Sequence, residues 1–301
     1  MGKIIGIGAC VMDTLIQLPH YPKEDTKLRA LSTKQAGGGP VATGLVAASK
    51  LGAEAAFMGV LSADGAGDFL KKDFEKYGVD TAYIRTVEGH RAFTSVIWLA
   101  GISRTCVFDK GDLPALTLTE ADRAAVAGAG LLMVDGNELD AAVEAAGVAR
   151  ASGVDVLYDC GGLYEGVERL LALTDIMIPS EEFALGHTGK ETAEEAAYAL
   201  FDRYQPKVVV ITQGKRGGLL YDGAKFVDYP IYPAEVVDSN GSGDVFHGAF
   251  AAGLCRGYTY EKCCHFASAV SALKCTGIGA RESVPDFETV KTYMEENGYE
   301  L

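Results

Sequence analysis

Short apolar runs alternate along this chain with longer stretches whose apolar positions return every three or four residues. The runs at 3–8, 55–60, 131–134, 154–158, 174–178 and 207–212 read as buried strands, because each holds consecutive apolar residues rather than apolar residues only at every second position. Helical spacing occupies 40–51, 65–77, 119–127, 138–151, 191–204 and 243–256, with two further helices around 260–274 and 286–297. Buried strands separated by helices predict an α/β fold of three layers, a mostly parallel central sheet covered on both faces. In such a sheet, ligands gather at the carboxyl ends of the strands.

Two segments break the rhythm. Residues 14–34 hold Thr14-Leu15-Ile16-Gln17-Leu18 and then a polar stretch, and residues 91–108 read as two strands around Ala100-Gly101-Ile102-Ser103. Neither contains the helix that a parallel crossover needs. They are expected to form a small antiparallel β flap, a lid, or else edge strands of the main sheet. One apolar face on a flap would want a partner, which predicts a homodimer through the lid.

Composition narrows the picture. The chain has 301 residues, enough for a single large α/β domain spanning 1–301 with the lid segments inside it. A formal net charge of −14 leaves no general electrostatic footprint for nucleic acid or an anionic membrane. Local cations can still receive an anionic small molecule. Seven cysteines without framework spacing predict free thiols. Cys263-Cys264-His265 continues a helical pattern and reads as core rather than as zinc ligands. No apolar run is long enough to span a membrane, and Met1 to Ile7 runs straight into a strand rather than a signal peptide, so a cytoplasmic location is expected.

The chemistry concentrates in Asp238-Ser239-Asn240-Gly241-Ser242-Gly243-Asp244, ahead of a small-residue apolar helix. Glycines there let backbone N–H groups converge on an anion, and the helix start adds a favourable dipole. A carboxylate beside that anion does not bind it; it is placed to take a proton from an attacking hydroxyl, as Asp244 would. The plainer alternative is a capped turn with Asp244 as N-cap. Gln35-Ala36-Gly37-Gly38-Gly39-Pro40 leads into a second small-residue helix, where backbone would lie against a ligand or simply turn tightly. Asp13, read as ending the first strand region, has two oxygens that can grip a pair of sugar hydroxyls. Thr212-Gln213-Gly214-Lys215-Arg216-Gly217-Gly218 follows a strand and would put Thr212 and backbone amides near a nucleotide phosphate. Neither the G-x-x-x-x-G-K-[ST] loop nor a G-x-G-x-x-G after the first strand is present.

These features, in this order, resemble the ribokinase-like carbohydrate kinases, the PfkB family, over nearly the whole chain. Gly37-Gly38-Gly39-Pro40 with Ala42 and Gly44 is similar to that family's N-terminal signature. Asp238 to Asp244 is similar to its C-terminal D-T-x-G-A-G-D, with Ser239 for Thr and Ser242 for Ala. The resemblance implies a ribokinase-like fold and transfer of the ATP γ-phosphate to a primary sugar hydroxyl. It makes Asp244 the base and the amides of Gly241, Ser242 and Gly243 the anion hole. Asp13, Gly38, Gly39 and Thr43 would meet the sugar, and Thr212, Gly214, Gly217 and Ser239 the nucleotide. The family's Asn-x-x-Glu segment, which organises water around Mg²⁺, corresponds to Pro179-Ser180-Glu181-Glu182-Phe183, which leaves the role to Glu181 first and Glu182 second. A K⁺ site is implied at Asp238 and Ser283, within Gly279 to Pro285.

Departures bear on the acceptor. Val11 and Ala42 stand where ribose-binding asparagines are usual. V-M-D near residue 13 with G-G-G-P-x-A-T at 37–43 is similar to the sulfofructose kinase branch, whose ketohexose carries a sulfonate. Lys27, Arg29, Arg91 and Arg104 in the lid segments are then the candidates for its anionic tail. Fructokinase or nucleoside kinase activity, a non-catalytic sugar–nucleotide regulator, and a hydrolase are the alternatives.

Overall fold

The first apolar run becomes the buried strand β1 (Ile4–Ile7), after which the chain leaves the main sheet for β2 (Val11–Gln17) and β3 (Ser32–Gly38). The computed structural model describes residues 2–101 and 103–301; Ile102, in the expected lid turn, lies outside the described residues. Then come α1 (Pro40–Lys50), β4 (Ala55–Ser62), α2 (Gly65–Lys76), β5 (Asp80–Val87), and the lid strands β6 (Thr94–Ala100) and β7 (Ser103–Asp109). The second half runs α3 (Glu120–Ala127), β8 (Leu131–Val134), α4 (Leu139–Ala151), β9 (Val156–Cys160), α5 (Glu168–Leu171), β10 (Ile176–Pro179), α6 (Glu181–Thr188), α7 (Ala193–Tyr204) and β11 (Val208–Thr212). It closes with β12 (Gly218–Tyr221), β13 (Phe226–Tyr229), α8 (Ser242–Cys255), α9 (Tyr260–Lys274) and α10 (Phe287–Glu296).

The main sheet has the order β13-β12-β11-β10-β9-β8-β1-β4-β5, parallel from β11 to β5, with β12 and β13 antiparallel at one edge. Alternate residues of its strands feed two cores. Ile4 and Met133 pack with α1, α8, α9 and α10, while Ile5, Leu132 and Val134 pack with α4 and α7. Burial on both faces explains why these strands read as continuous apolar runs. The expectations missed β5, in which polar residues flank a short apolar run, the antiparallel strands β12 and β13, and the short helices α5 and α6.

The lid is a separate sheet of order β3-β2-β6-β7. Asp13 therefore does not end the first strand; it lies inside β2, a lid strand, at the base where lid meets core. Register puts Asp13, Leu15 and Gln17 on one face with Ser95, Ile97 and Leu99 of β6, and Arg104 of β7 opposite Leu99. That face looks onto the carboxyl ends of the main strands.

Helices α1 and α8 cross closely through glycine. A Cβ on Gly248 would overlap the Gly44 carbonyl, so the small residues of both helices are a packing requirement. This contact ties α1, capped by Gly39, to α8, capped by Gly241, and both caps open on the same cleft.

Candidate active site

Gly241 caps α8 from the left-handed region, φ 75° and ψ 8°, which a residue with a Cβ reaches only at a cost. Among the described residues the N–H groups of Gly241 and Gly243 donate to no backbone carbonyl, whereas that of Ser242 turns back to the Ser239 carbonyl at 3.2 Å. Of the three amides expected to form an anion hole, two are thus free at the helix start. Asp244 stands in the first turn of α8, its carboxylate close to Gly241. Burial holds its pKa above the usual carboxylate range, opposed by His247 and Arg104. A carboxylate so placed accepts a proton more readily than a solvated one.

Below it, the His247 ring nitrogens face the Gly243 carbonyl at 2.6 Å and the Ile178 carbonyl at 2.9 Å, and Nδ1 lies 3.2 Å from Asp159. Both carbonyls can only accept, so His247 braces the turn that carries Gly243. Burial raises the pKa of Asp159, against the pull of His247.

Across the cleft, Asp13 is buried and accepts a hydrogen bond from the Ser95 hydroxyl at 2.5 Å. Burial raises its pKa, against Ser95 and Arg281, and Asp244 adds to the rise, so the two carboxylates share one field. Gly38 leaves no room for a side chain, since a Cβ would overlap Asp13 Oδ2. Gly39, at φ 95°, would drive a Cβ into the Ala9 carbonyl. Asp135, at the end of β8, accepts from the amides of Ala9 at 2.9 Å, Val41 at 3.2 Å and Asn137 at 2.9 Å, and so fixes the glycine turn. Thr43 is fully buried with its hydroxyl on Arg281 Nε at 3.4 Å; it braces the loop from behind. Arg281 itself donates to the Gly38 carbonyl at 2.7 Å and pairs with Asp73 at 2.6 Å.

On the nucleotide side, Thr212 ends β11, and Gly214 and Gly217 take positive φ in the turn that follows. Glu181, expected to organise metal-bound water, instead accepts from Gln213 at 2.8 Å and pairs with Arg216, so both its oxygens are engaged. Glu182, in the first turn of α6, is exposed and makes no ion pair among the described residues. Asp238 accepts from Asn240 N at 2.8 Å and Gly279 N at 2.9 Å, and its carbonyl takes the Lys274 ammonium at 2.7 Å. Ser283 donates to the Gly279 carbonyl at 2.5 Å. The groups expected to hold K⁺ are thus linked through Gly279, with the Lys274 ammonium on the Asp238 carbonyl beside them.

The lid cations separate. Arg104 reaches the Ser239 carbonyl at 3.4 Å. Arg91 is spent on Asp109 and Asp112 at the lid edge, and Lys27 and Arg29 lie exposed on the loop between β2 and β3. A cavity of about 740 Å³ lies between the lid and the loops 237–239 and 278–282, lined by Leu15, Gln17, Leu99 and Ser239 together with Lys34 and Glu282, which pair with each other. Asp135, Asp159, His247, Lys274 and Arg281 had gone unremarked in the sequence reading. An acid directly after an apolar strand was the available signal for the first two.

The model of the pfkB family of carbohydrate kinases matches residues 1–286. The chain belongs to that family. It is 27% identical to the ribokinase of Haemophilus influenzae over 297 residues, 96% of this chain and 97% of that protein. The structure of Arabidopsis thaliana ribokinase complexed with ribose and ATP superposes with a TM-score of 0.87 at 26% identity, covering 98% of this chain and 99% of that one. A shorter stretch of 131 residues is 36% identical to an ATP-dependent 6-phosphofructokinase of Thermoanaerobacterium thermosaccharolyticum, covering 44% of this chain and 40% of that protein. The protein is an ATP-dependent sugar kinase with the α/β fold and lid of its family. Among the described residues no helix is long and apolar enough to cross a membrane.

Proposed function

We propose that this chain transfers the ATP γ-phosphate to a primary hydroxyl of a small sugar, with Asp244 as general base. The observation that carries the reading is the free amides of Gly241 and Gly243 at the start of α8, beside Asp244, whose carboxylate is within electrostatic reach of Asp13. Asp13 holds acceptor hydroxyls against the backbone of Gly38 and Gly39. Asp244 takes the proton of the attacking hydroxyl, and the two amides receive the charge that develops on the phosphoryl oxygens. Thr212 and the turn through Gly217 hold the nucleotide, with Glu181 fixing that turn through Gln213 and Arg216. Magnesium, when bound with ATP, neutralises phosphate charge; Glu182 is the carboxylate free to meet its water shell. The lid excludes water, which favours transfer over hydrolysis.

The acceptor is an anionic ketohexose in this reading. Val11 and Ala42 are buried apolar residues where ribose-binding asparagines are usual, and Arg104 reaches the Ser239 carbonyl, which borders the cleft under the lid. A screen of fructose, ribose, cytidine, fructose 6-phosphate and 6-deoxy-6-sulfofructose, scored by ADP release and product NMR, tests it. Turnover of ribose or cytidine alone rejects the anionic acceptor, and no ADP release with any sugar or nucleoside rejects the kinase reading.

A further inference from the structure

Lys274 is the last residue of α9 and is fully buried. Among the described residues, Lys274 and Arg281 are the only cations so deeply placed. Arg281 has Asp73 as counter-ion, whereas Lys274 makes no ion pair among the described residues. Its ammonium donates to the Asp238 carbonyl at 2.7 Å, with the Asp238 and Asp244 carboxylates within electrostatic reach. Burying an ammonium is costly unless polar groups are arranged to receive it, so its position is specified by the fold. The last carbonyls of α9 point the negative end of the helix dipole at the same place.

The place matters because Asp238 opens the loop that carries the free amides. Its two carboxylate oxygens take Asn240 N and Gly279 N, its carbonyl takes Lys274, and Ser283 closes on Gly279. Loop 239–243 is thereby pinned at its entry by a positive charge that belongs to the chain. We propose that the Lys274 ammonium is the built-in cation of the anion-hole loop, so that phosphoryl transfer by this protein needs no monovalent metal ion. The inference rests on the kinase reading above for its catalytic consequence, but not for its structural one.

The test compares potassium chloride with tetramethylammonium chloride at equal ionic strength, on wild type, Lys274→Met and Asp244→Asn. Two quantities are read: the thermal midpoint with and without MgADP, and ADP release with the acceptor found in the screen. Wild type is expected to show the same midpoint and rate in both salts. Lys274→Met keeps the volume of the stem and removes the charge, and its kcat should fall by about tenfold or more, as when a group supporting an oxyanion site is lost. A potassium-specific rise in the wild-type midpoint or rate overturns the proposal, as does wild-type kcat in Lys274→Met. If Lys274→Met does not fold, the wild-type salt comparison still decides. The kinase reading fails separately, through the absence of ADP release from wild type with every acceptor in the screen, and the base assignment through wild-type turnover in Asp244→Asn, whereas the salt dependence of the midpoint involves no turnover.

Discussion

Two glycines two residues apart at the start of α8 should respond to a methyl group in opposite ways. At Gly241 the backbone is left-handed, which costs an L-residue roughly 1–2 kcal/mol. The added Cβ would also overlap the Ala280 methyl and lie 3.2 Å from its Cα. Ordinary contact between carbons is about 3.5–4.0 Å, so the segment around Ala280 must retreat by a sizeable fraction of an ångström or more. That segment carries Gly279, which holds Asp238, and Arg281, which holds the Gly38 carbonyl. Adding an overpacking cost of about 1–3 kcal/mol gives Gly241→Ala a stability loss of roughly 2–5 kcal/mol. A displacement near 1 Å at the reacting groups is worth about 10² in rate, so kcat should fall by that order as well. At Gly243 the backbone is helical and a Cβ meets nothing within 4 Å. Alanine there should raise stability by roughly 0.5–1 kcal/mol, because glycine is a poor helix former. Yet the open side of Gly243 is where the phosphoryl group is expected, so Gly243→Ala should also lose turnover. Chemical denaturation with ADP release on the same preparations separates the two cases. Wild-type turnover in Gly243→Ala would place the anion elsewhere, and a stable Gly241→Ala would show that the loop around Ala280 is not the constraint described.

Asp244→Asn should keep MgADP binding and the fold while losing about 10²–10⁴ in kcat, the usual cost of a missing general base; undiminished turnover would remove the assignment. Because burial raises the Asp244 pKa and the base acts ionised, kcat/KM should fall on the acid side at a pH above the ordinary carboxylate range. A flat profile down through that range would contradict the raised pKa. Arg104→Gln should cost an anionic acceptor about 10–100-fold in kcat/KM, the equivalent of roughly 1.5–3 kcal/mol for a charge-assisted hydrogen bond. A neutral analogue should lose far less, and equal losses on both would take Arg104 out of acceptor recognition. Glu181→Gln frees Arg216 and should raise KM for ATP with KM for the sugar unchanged; a change confined to the sugar would refute the placement of Glu181 at the nucleotide turn.

The sequence was most legible where one physical rule acts alone. Strands buried on both faces appear as unbroken apolar runs, so most of the parallel sheet could be read directly, while β5, half-exposed at its edge, could not. Likewise the glycines before α1 and α8 marked close backbone approach, because φ 95° at residue 39 and φ 75° at residue 241 favour glycine over any residue with a Cβ. What stayed hidden depends on partners far away in the chain. Nothing local to Asp13 says that it belongs to a lid strand rather than to the end of β1; that follows from its pairing with Ala36 and Ser95. Glu181 and Glu182 are adjacent and chemically alike, and only the arrival of Gln213 and Arg216, more than thirty residues on, engages one and leaves the other free. The four lid cations were equivalent by composition, yet β-sheet register sends Arg104 toward Ser239, while Asp109 and Asp112 hold Arg91 away. Lys274 shows the limit most clearly. A lysine at the end of a helix is ordinarily a solvated charge that complements the dipole, and this one is an internal cation because Asp238, thirty-six residues earlier, turns its carbonyl to meet it.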